Sequence, residues 1–539
     1  MYGNPTNLPI SVSDFSTIIE DRLIYVDKTK IIADLIDGSL GKWLFLSRPR
    51  RFGKTLLLST LEYLFRGEKD LFHNLYIENE WDWNEKYNVL HLDFSNLQNC
   101  KTSKDFLECF GAMSFDACQE AGITMEPISE AASPGQPIRQ LIKTIKAQPK
   151  QSLVLLIDEY DAPLTHNLDN PELFREFKSL LNTFFSKLKG CTKNVRLFFM
   201  TDIIKIGQAN NFSGFNNFVD LSLNPRAGEL LGYTEGEIEK YFSSELARAA
   251  EVEKTTVDDI LKRLKKAYDG YCFDSQASTH VFAPWSVLLY LAQPQLGFQN
   301  YWFESAGKPT GLINYLKRNH LWTTKAASQE EIYMDIGDFL APNDISDMSP
   351  EEILTQMGYL TIRSVDASSV TLKYPNDEVA DSMTKIYARI FLGGSGVAAI
   401  RSIDIRKHLI EGNPDAVIDF FNGLMLSADY NDIRNITNEA VCRFCIQICL
   451  KTIGVAPRPE VHNAYGRSDL EVDVGSYRWV FEFKFAHDDN EIESLLMTGA
   501  QQIQNRHYGE ADLEGRQLIR ISLVYSKEQR KFVSWKVLP

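Results

Sequence analysis

Two groups of residues have the types and spacings that handle phosphate. The first is Ser47-Arg-Pro-Arg-Arg-Phe-Gly-Lys-Thr55, a basic loop between an apolar run and Leu56-Leu-Leu. Backbone N–H groups at such a loop and helix start can face phosphate oxygens, with Lys54 reaching the outer phosphates and Thr55 holding Mg²⁺. Gly53 allows close backbone approach; Arg50 and Arg51, with Phe52 in the same loop, could reach a nucleotide in cis or a neighbour in trans, and surface basicity explains the arginines equally well. Arg48 departs from G-x-x-x-x-G-K-[ST], standing where its first glycine is expected. Downstream, Leu153-Val-Leu-Leu-Ile-Asp-Glu is an apolar run ending in two acids, the Walker B pattern, expected to form a strand beside that of the loop. Asp158 is placed to bind the Mg²⁺ water shell and Glu159 to orient an attacking water. Thr201, ending another apolar run, is a candidate sensor of the γ-phosphate. A basic turn opening a core helix would explain the first run alone; the acidic run after it favours a nucleotide site.

The second group is Asp469, Glu482 and Lys484. Tyr465-Gly-Arg-Ser-Asp-Leu-Glu-Val-Asp-Val, a turn at Gly475-Ser476 and Tyr477-Arg-Trp-Val-Phe-Glu-Phe-Lys-Phe read as a hairpin. Glu482 and Lys484, two apart, share a face that Asp469 can join across the ladder. Phosphodiester cleavage uses such a set: acids hold Mg²⁺ and a lysine steadies developing negative charge. A solvated face with a cross-strand ion pair is the alternative. Phe481, Phe483 and Phe485 assign the opposite face to the core, leaving the polar face exposed or in a cleft. Glu439, at a helix start upstream, could point toward the metal. Gln502 and Tyr508 follow on a later helix, where Gln502 orients substrate or water, or is a surface glutamine. His462 and His507 receive no ligand role.

Elements to position these groups are legible. Short apolar runs alternating with helical stretches between Leu23 and Leu223 predict a parallel sheet covered on both faces. From Thr234 to Asn319 the period becomes helical, predicting a lid. Glu351 to Ile362 followed by Val370-Thr-Leu-Lys-Tyr-Pro-Asn predicts a helix and a two-stranded hairpin, a winged-helix-like segment. Ser129 to Pro137 is expected to be a surface loop. The chain is therefore α/β and multidomain, with expected boundaries at 1–232, 233–400 and 401–539.

Composition narrows the function classes. The 539 residues exceed a single core, and 44% apolar residues argue against wholesale disorder. Lys plus Arg number 57 against 72 Asp plus Glu, a net charge of −15, which excludes a uniformly basic coat for nucleic acid. From Asn413 onward there are 14 Lys plus Arg and 18 Asp plus Glu, so phosphate attraction there falls to bound cations and local arginines such as Arg467, Arg478 and Arg506. Eight cysteines form no paired zinc pattern; Cys442, Cys445 and Cys449 follow one helix face and are expected in a core. With no secretory signal at the amino end and no apolar run of membrane-span length, a cytoplasmic protein without membrane contact is expected.

The chain resembles bacterial AAA-like ATPases fused to a C-terminal domain of the PD-(D/E)XK nuclease superfamily. Beyond the two motifs, Tyr25-Val-Asp-Lys-Thr, Phe212-Ser-Gly-Phe-Asn-Asn, Tyr268-Asp-Gly-Tyr-Cys-Phe, Tyr301-Trp-Phe-Glu-Ser and Gly358-Tyr-Leu carry the likeness. The resemblance implies an Arg-Pro-x-Arg-x-Gly-Lys-[ST] loop, which accounts for Arg48. It makes Lys54, Thr55, Asp158 and Glu159 nucleotide residues and Asp469, Glu482 and Lys484 the nuclease-like site, with ATP and Mg²⁺ as cofactors. Asp202 departs from the Thr-Gly expected after the sensor strand, and facing inward it would repel γ-phosphate. The function expected is an ATPase regulating a metal-dependent nuclease on DNA or RNA, with a homo-oligomer as a candidate assembly. The alternative is a nucleotide-dependent switch or assembly protein whose nuclease-like domain only binds a partner.

Overall fold

Four short runs with apolar cores, three of them buried along almost their whole length, form one parallel sheet. They are β1 (Trp43–Ser47), β2 (Asn88–Asp93), β3 (Leu153–Asp158) and β4 (Val195–Asp202), joined at one edge by the short β5 (Val219–Asp220). The computed structural model describes residues 7–127, 135–168, 170–205, 218–305, 331–340, 348–391, 405–427, 438–452, 455–511 and 513–538. The strand order is β2-β3-β4-β1-β5, every neighbouring pair parallel. This corrects one expectation: β3 does not lie beside β1, because β4 runs between them, pairing Leu46 with Thr201 and Ile157 with Met200. Three strand ends, Ser47, Thr201 and Asp158, thus converge at the carboxyl edge, where open α/β sheets bind ligands.

Helix Lys54–Arg66 follows the phosphate loop between Gly53 and Gly67, both left-handed, and buries Leu57, Leu58, Leu61, Leu64 and Phe65. After the sheet come helices Glu235–Tyr241, Ser243–Glu253, Val257–Tyr268 and Pro284–Ala292, the first opened by a Thr234–Glu237 capping box. They share a core of Ile238, Leu246, Leu264, Val287 and Leu291. Helix Pro350–Gln356 then leads into the hairpin of β7 (Thr361–Val365) and β8 (Ser369–Lys373). A third strand not foreseen, β6 (Ile332–Asp335), joins β8 antiparallel.

The chain divides into two compact units, one of Met1–Trp322 with Glu331–Val379, the other of Thr323–Glu330 with Ala380–Pro539. The second holds a mixed sheet of β9 (Pro457–Asn463), β10 (Gly466–Val474), β11 (Tyr477–Ala486), β12 (Gln517–Ser526) and β13 (Lys531–Leu538). Its order is β13-β12-β11-β10-β9, with only β11 and β12 parallel. Helices Pro414–Ser427 and Glu439–Thr452 cover the face of Trp479, Phe481 and Phe483, while helix Ile492–Asn505 covers the face of Val480. Cys442, Cys445 and Cys449 lie in the first of these cores, their thiols pushed up by burial. No described helix is long and apolar enough to cross a membrane. Phe212–Asn217 and most of the expected Ser129–Pro137 loop lie outside the described residues.

Candidate functional sites

Beyond the end of β1 the chain must turn sharply to start a helix, and two left-handed residues accomplish it: Gly53 at φ +93° and Arg51 at φ +66°. A third, Glu159 at φ +48°, follows β3. Non-glycine residues held in this region carry strain that collects at functional sites. Lys54 Nζ donates to the carbonyls of Arg48 (2.9 Å) and Pro49 (3.0 Å), folding the ammonium back on its own loop. Thr55 Oγ1 donates to Asp158 Oδ2 at 2.7 Å, and Thr201 Oγ1 donates to Asp158 Oδ1 at 2.5 Å. Thr201 is fully buried with its hydroxyl on Asp158, between the strand of the loop and that of the acids. Burial raises Glu159, opposed by Lys54 and assisted by Asp158.

A cavity of about 520 Å³ lies against these groups, lined by Lys54, Thr55 and Glu159 and, across from them, by Tyr25, Lys28 and Trp285. The helical region contributes Trp285, over whose ring the Arg51 guanidinium lies at 4.4 Å. Arg50, also lining the cavity, is exposed, whereas Phe52 is buried edge-on against Tyr271 and Phe273. An adjoining hydroxyl and carboxylate suit a hard cation, and the helix start and Lys54 suit an anion.

Arg48 has a structural role that the sequence does not reveal. Its guanidinium is buried and donates to the carbonyls of Ser47 (2.8 Å), Ser222 (2.7 Å) and Ala227 (2.8 Å), lying 4.3 Å over the Phe273 ring. Burial depresses it to about 9, which leaves it charged near neutrality. Asp202 is also buried, on the side of β4 away from Thr201, and neither of its carboxylate oxygens has a hydrogen-bond partner. Burial, reinforced by Asp161, raises it well above its ordinary value, and because it lies on the face of β4 opposite Thr201 it does not face inward as the repulsion of γ-phosphate would require.

In the second unit the turn at Gly475-Ser476 sets the register of β10 on β11, pairing Leu470 with Phe481. Asp469, one residue earlier, accepts from the Phe483 backbone N–H at 2.8 Å. Lys484 Nζ donates to Glu482 Oε1 at 3.0 Å, and Glu482 Oε2 is buried with no hydrogen-bond partner. The three sequence-selected residues therefore meet on one face. That face is not open to solvent: Glu482 and Lys484 are buried, because helix Ile492–Asn505 lies over it. Gly499 permits the approach, since a Cβ there would collide with Ser522 Oγ and come within 3.5 Å of Lys484 Cε. A glycine inside an amphipathic helix was the available signal.

Desolvation, then Asp469, raises Glu482 to about 7. Asp469 is raised by burial against the opposing Phe483 N–H and Lys484. Desolvation pulls Lys484 down, but Glu482 outweighs it and the ammonium stays charged. Glu439 adds to the field on Glu482 and Lys484, yet among the described residues no three acids, histidines or cysteines form a ready metal cage. The fit to a divalent cation rests on Asp469 and the unpartnered Glu482 Oε2, with Glu439 outside immediate contact.

Around this pair, Arg443 and Arg467 both hold Glu460, at 2.6 and 2.8 Å, and both act on Asp469. Arg506 and Gln502 donate to the Tyr508 hydroxyl at 3.2 and 3.4 Å. Arg478 is buried in an ion pair with Asp473 at 2.7 Å, a structural placement rather than one that attracts phosphate. His507 lies against Glu510.

Residues 9–212 match the family model described as "Predicted AAA-ATPase", and residues 437–535 match that of the PD-(D/E)XK nuclease superfamily. Over 541 aligned residues the chain is 29% identical to "Uncharacterized protein in vnfD 5'region" of Azotobacter chroococcum mcd 1, covering 98% of each.

Proposed function

In a chain that joins an AAA-like ATPase domain to a PD-(D/E)XK nuclease-superfamily domain, we propose that ATP binding and hydrolysis regulate divalent-metal-dependent cleavage of nucleic-acid phosphodiesters. The observation that carries this reading is the half-buried Asp469 beside the buried Glu482 and Lys484 on one face, with an unpartnered Glu482 oxygen. A buried carboxylate oxygen without a partner costs free energy that a cation would offset.

Magnesium, when bound at either site, supplies the positive charge that polarises a phosphorus–oxygen bond. In the first unit Lys54 would exchange the Arg48 and Pro49 carbonyls for the outer phosphates, Thr55 and Asp158 would hold the cation, and Glu159 would orient water. Thr201 fixes the direction of Asp158. Arg50 and Arg51, exposed at the cavity, would border the nucleotide. In the second unit Asp469 and Glu482 would hold the cation and Lys484 would stabilise negative charge developing on the phosphate. Arg467, exposed beside Asp469, would meet the diester, while the buried Arg443 adds positive charge from behind, and Gln502 is tied to Tyr508.

The test is cleavage of plasmid, linear and single-stranded substrates, DNA and RNA, with Mg²⁺ or Mn²⁺, with and without ATP. Wild type is compared with Glu482→Ala, Lys484→Ala and Lys54→Ala. Cleavage abolished by the first two and reshaped by the third supports the proposal. No cleavage under any nucleotide condition refutes it in favour of a switch whose second domain only binds.

A further inference from the structure

We infer that Trp302 and Glu378 are positioning residues that set the outer edge of the phosphate loop and relay its state to the helix leading out of the first unit. The inference rests on the nucleotide reading above. A loop that turns its N–H groups toward phosphate leaves its carbonyls on the other side, and these need donors of their own. Lys54 serves the carbonyls of Arg48 and Pro49. When Lys54 turns to a phosphate it abandons both.

The Arg50 carbonyl is held independently, by the Trp302 indole Nε1–H at 2.9 Å across 252 residues of sequence. Trp302 is itself buried, edge-on to Tyr359 with ring centroids 5.4 Å apart. Beside it, Gly358 at φ +85° admits the Pro49 ring so closely that a Cβ would sit 2.6 Å from Pro49 Cγ. The winged-helix-like segment and Trp302 thus grip two consecutive loop residues from outside.

Trp302 leads onward. Its backbone N–H donates to Glu378 Oε1 at 2.6 Å, while Ser286 Oγ donates to Glu378 Oε2 at 2.7 Å. Glu378 is buried in the first turn of helix Asp377–Phe391, where a carboxylate also suits the helix dipole. That helix belongs to the first unit through Val379 and to the second from Ala380. A shift of the Arg50 carbonyl on nucleotide arrival therefore acts through two hydrogen bonds on the start of a helix that continues into the nuclease-like unit. Discrete contacts between rigid elements are how such coupling travels.

The experiment uses the full chain and a non-hydrolysable ATP analogue with Mg²⁺, measuring affinity, ATPase KM and kcat, and amide exchange over residues 380–391. In wild type, nucleotide is expected to slow exchange there about tenfold. Trp302→Phe, which keeps the ring and removes the donor, should weaken nucleotide binding about tenfold. It should also lose the exchange response at saturating nucleotide. Glu378→Ala should lose that response as well, and Glu378→Gln, which retains an oxygen for the Trp302 N–H, should keep most of it, so a merely destabilised Trp302→Phe leaves the Glu378 pair to decide. Wild type that binds nucleotide without altering exchange, or variants that match it in affinity and response, overturn the relay alone. Wild type that binds no nucleotide overturns the nucleotide reading as well.

Discussion

Replacing Arg48 separates two things a phosphate-loop residue can do. Its three hydrogen bonds to the carbonyls of Ser47, Ser222 and Ala227 have a charged donor. At roughly 1.5–3 kcal/mol apiece their gross loss is about 4–9 kcal/mol. Burial of the cation opposes this: depression of the guanidinium from 12.5 to about 9 corresponds to a penalty on the order of 5 kcal/mol. Stacking on Phe273 adds about 1 kcal/mol in favour of arginine. The large terms partly cancel, so Arg48→Met should destabilise by no more than about 5 kcal/mol. Geometry is another matter, because the loop then loses its tether to the Ser222–Ala227 segment, and misplacing one or two phosphate donors should weaken ATP binding about 10- to 100-fold. Arg48→Gly restores the ordinary glycine spacing yet should bind no better than Arg48→Met, whereas Arg48→Lys should recover part of the affinity. Urea denaturation and anisotropy of a labelled ATP analogue measure the two effects. Arg48→Gly binding ATP within twofold of wild type would falsify the tether argument.

A cation entering the second site must displace the proton of Glu482, raised from 4.5 to about 7. Mn²⁺ affinity should therefore fall as pH drops below 7, by about tenfold between pH 8 and 6; calorimetry in a Thr55→Ala background reads it, and a pH-flat affinity contradicts it. In metal-free protein Glu482 binds more protons in the folded state than in the unfolded one between about pH 4.5 and 7, so it makes stability decline as pH rises through that window, and Glu482→Gln should lessen this slope. Gly499→Ala should cost about 1–3 kcal/mol and lower any cleavage activity by displacing Lys484 through Ser522; unchanged melting and activity would show that the helix simply shifts. Lys54→Ala should abolish a thermal shift by ATP and Mg²⁺, which in wild type amounts to about 2.7 kcal/mol at a hundredfold excess over Kd; an undiminished shift places the nucleotide elsewhere.

The elements easiest to read in the sequence are those whose own side chains specify them. Strands β1, β3 and β4 are apolar on both faces, and β11 alternates phenylalanines with Glu482 and Lys484, so their burial followed from the runs themselves. β9 escaped because Pro457 and Pro459 argue against a strand, although at a sheet edge proline is tolerated. β6 offers only Ile-Tyr-Met-Asp, too short to show a period. The insertion of β4 between β1 and β3 is a matter of topology, which periodicity does not encode. Of the candidate sites, Asp469, Glu482 and Lys484 were legible because one hairpin turn fixes their register. Arg48 was not, since two of its acceptors lie 174 and 179 residues away. The burial of Glu482 depends on Gly499 of another element, so the strand alone left its face undecided.

The strand order of the second sheet gives its acids unequal lifetimes. β11 is central, laddered on both sides, so Glu482 and Lys484 ride on backbone that opens only with the whole unit. Asp469 sits on β10 just before its ladder with β11 begins at Leu470, backed only by the edge strand β9 and holding β11 by one side-chain bond to a neighbouring amide. Fraying of that end would swing a single oxygen ligand aside while the rest stayed folded, a safety catch releasable at far less energy than melting the domain.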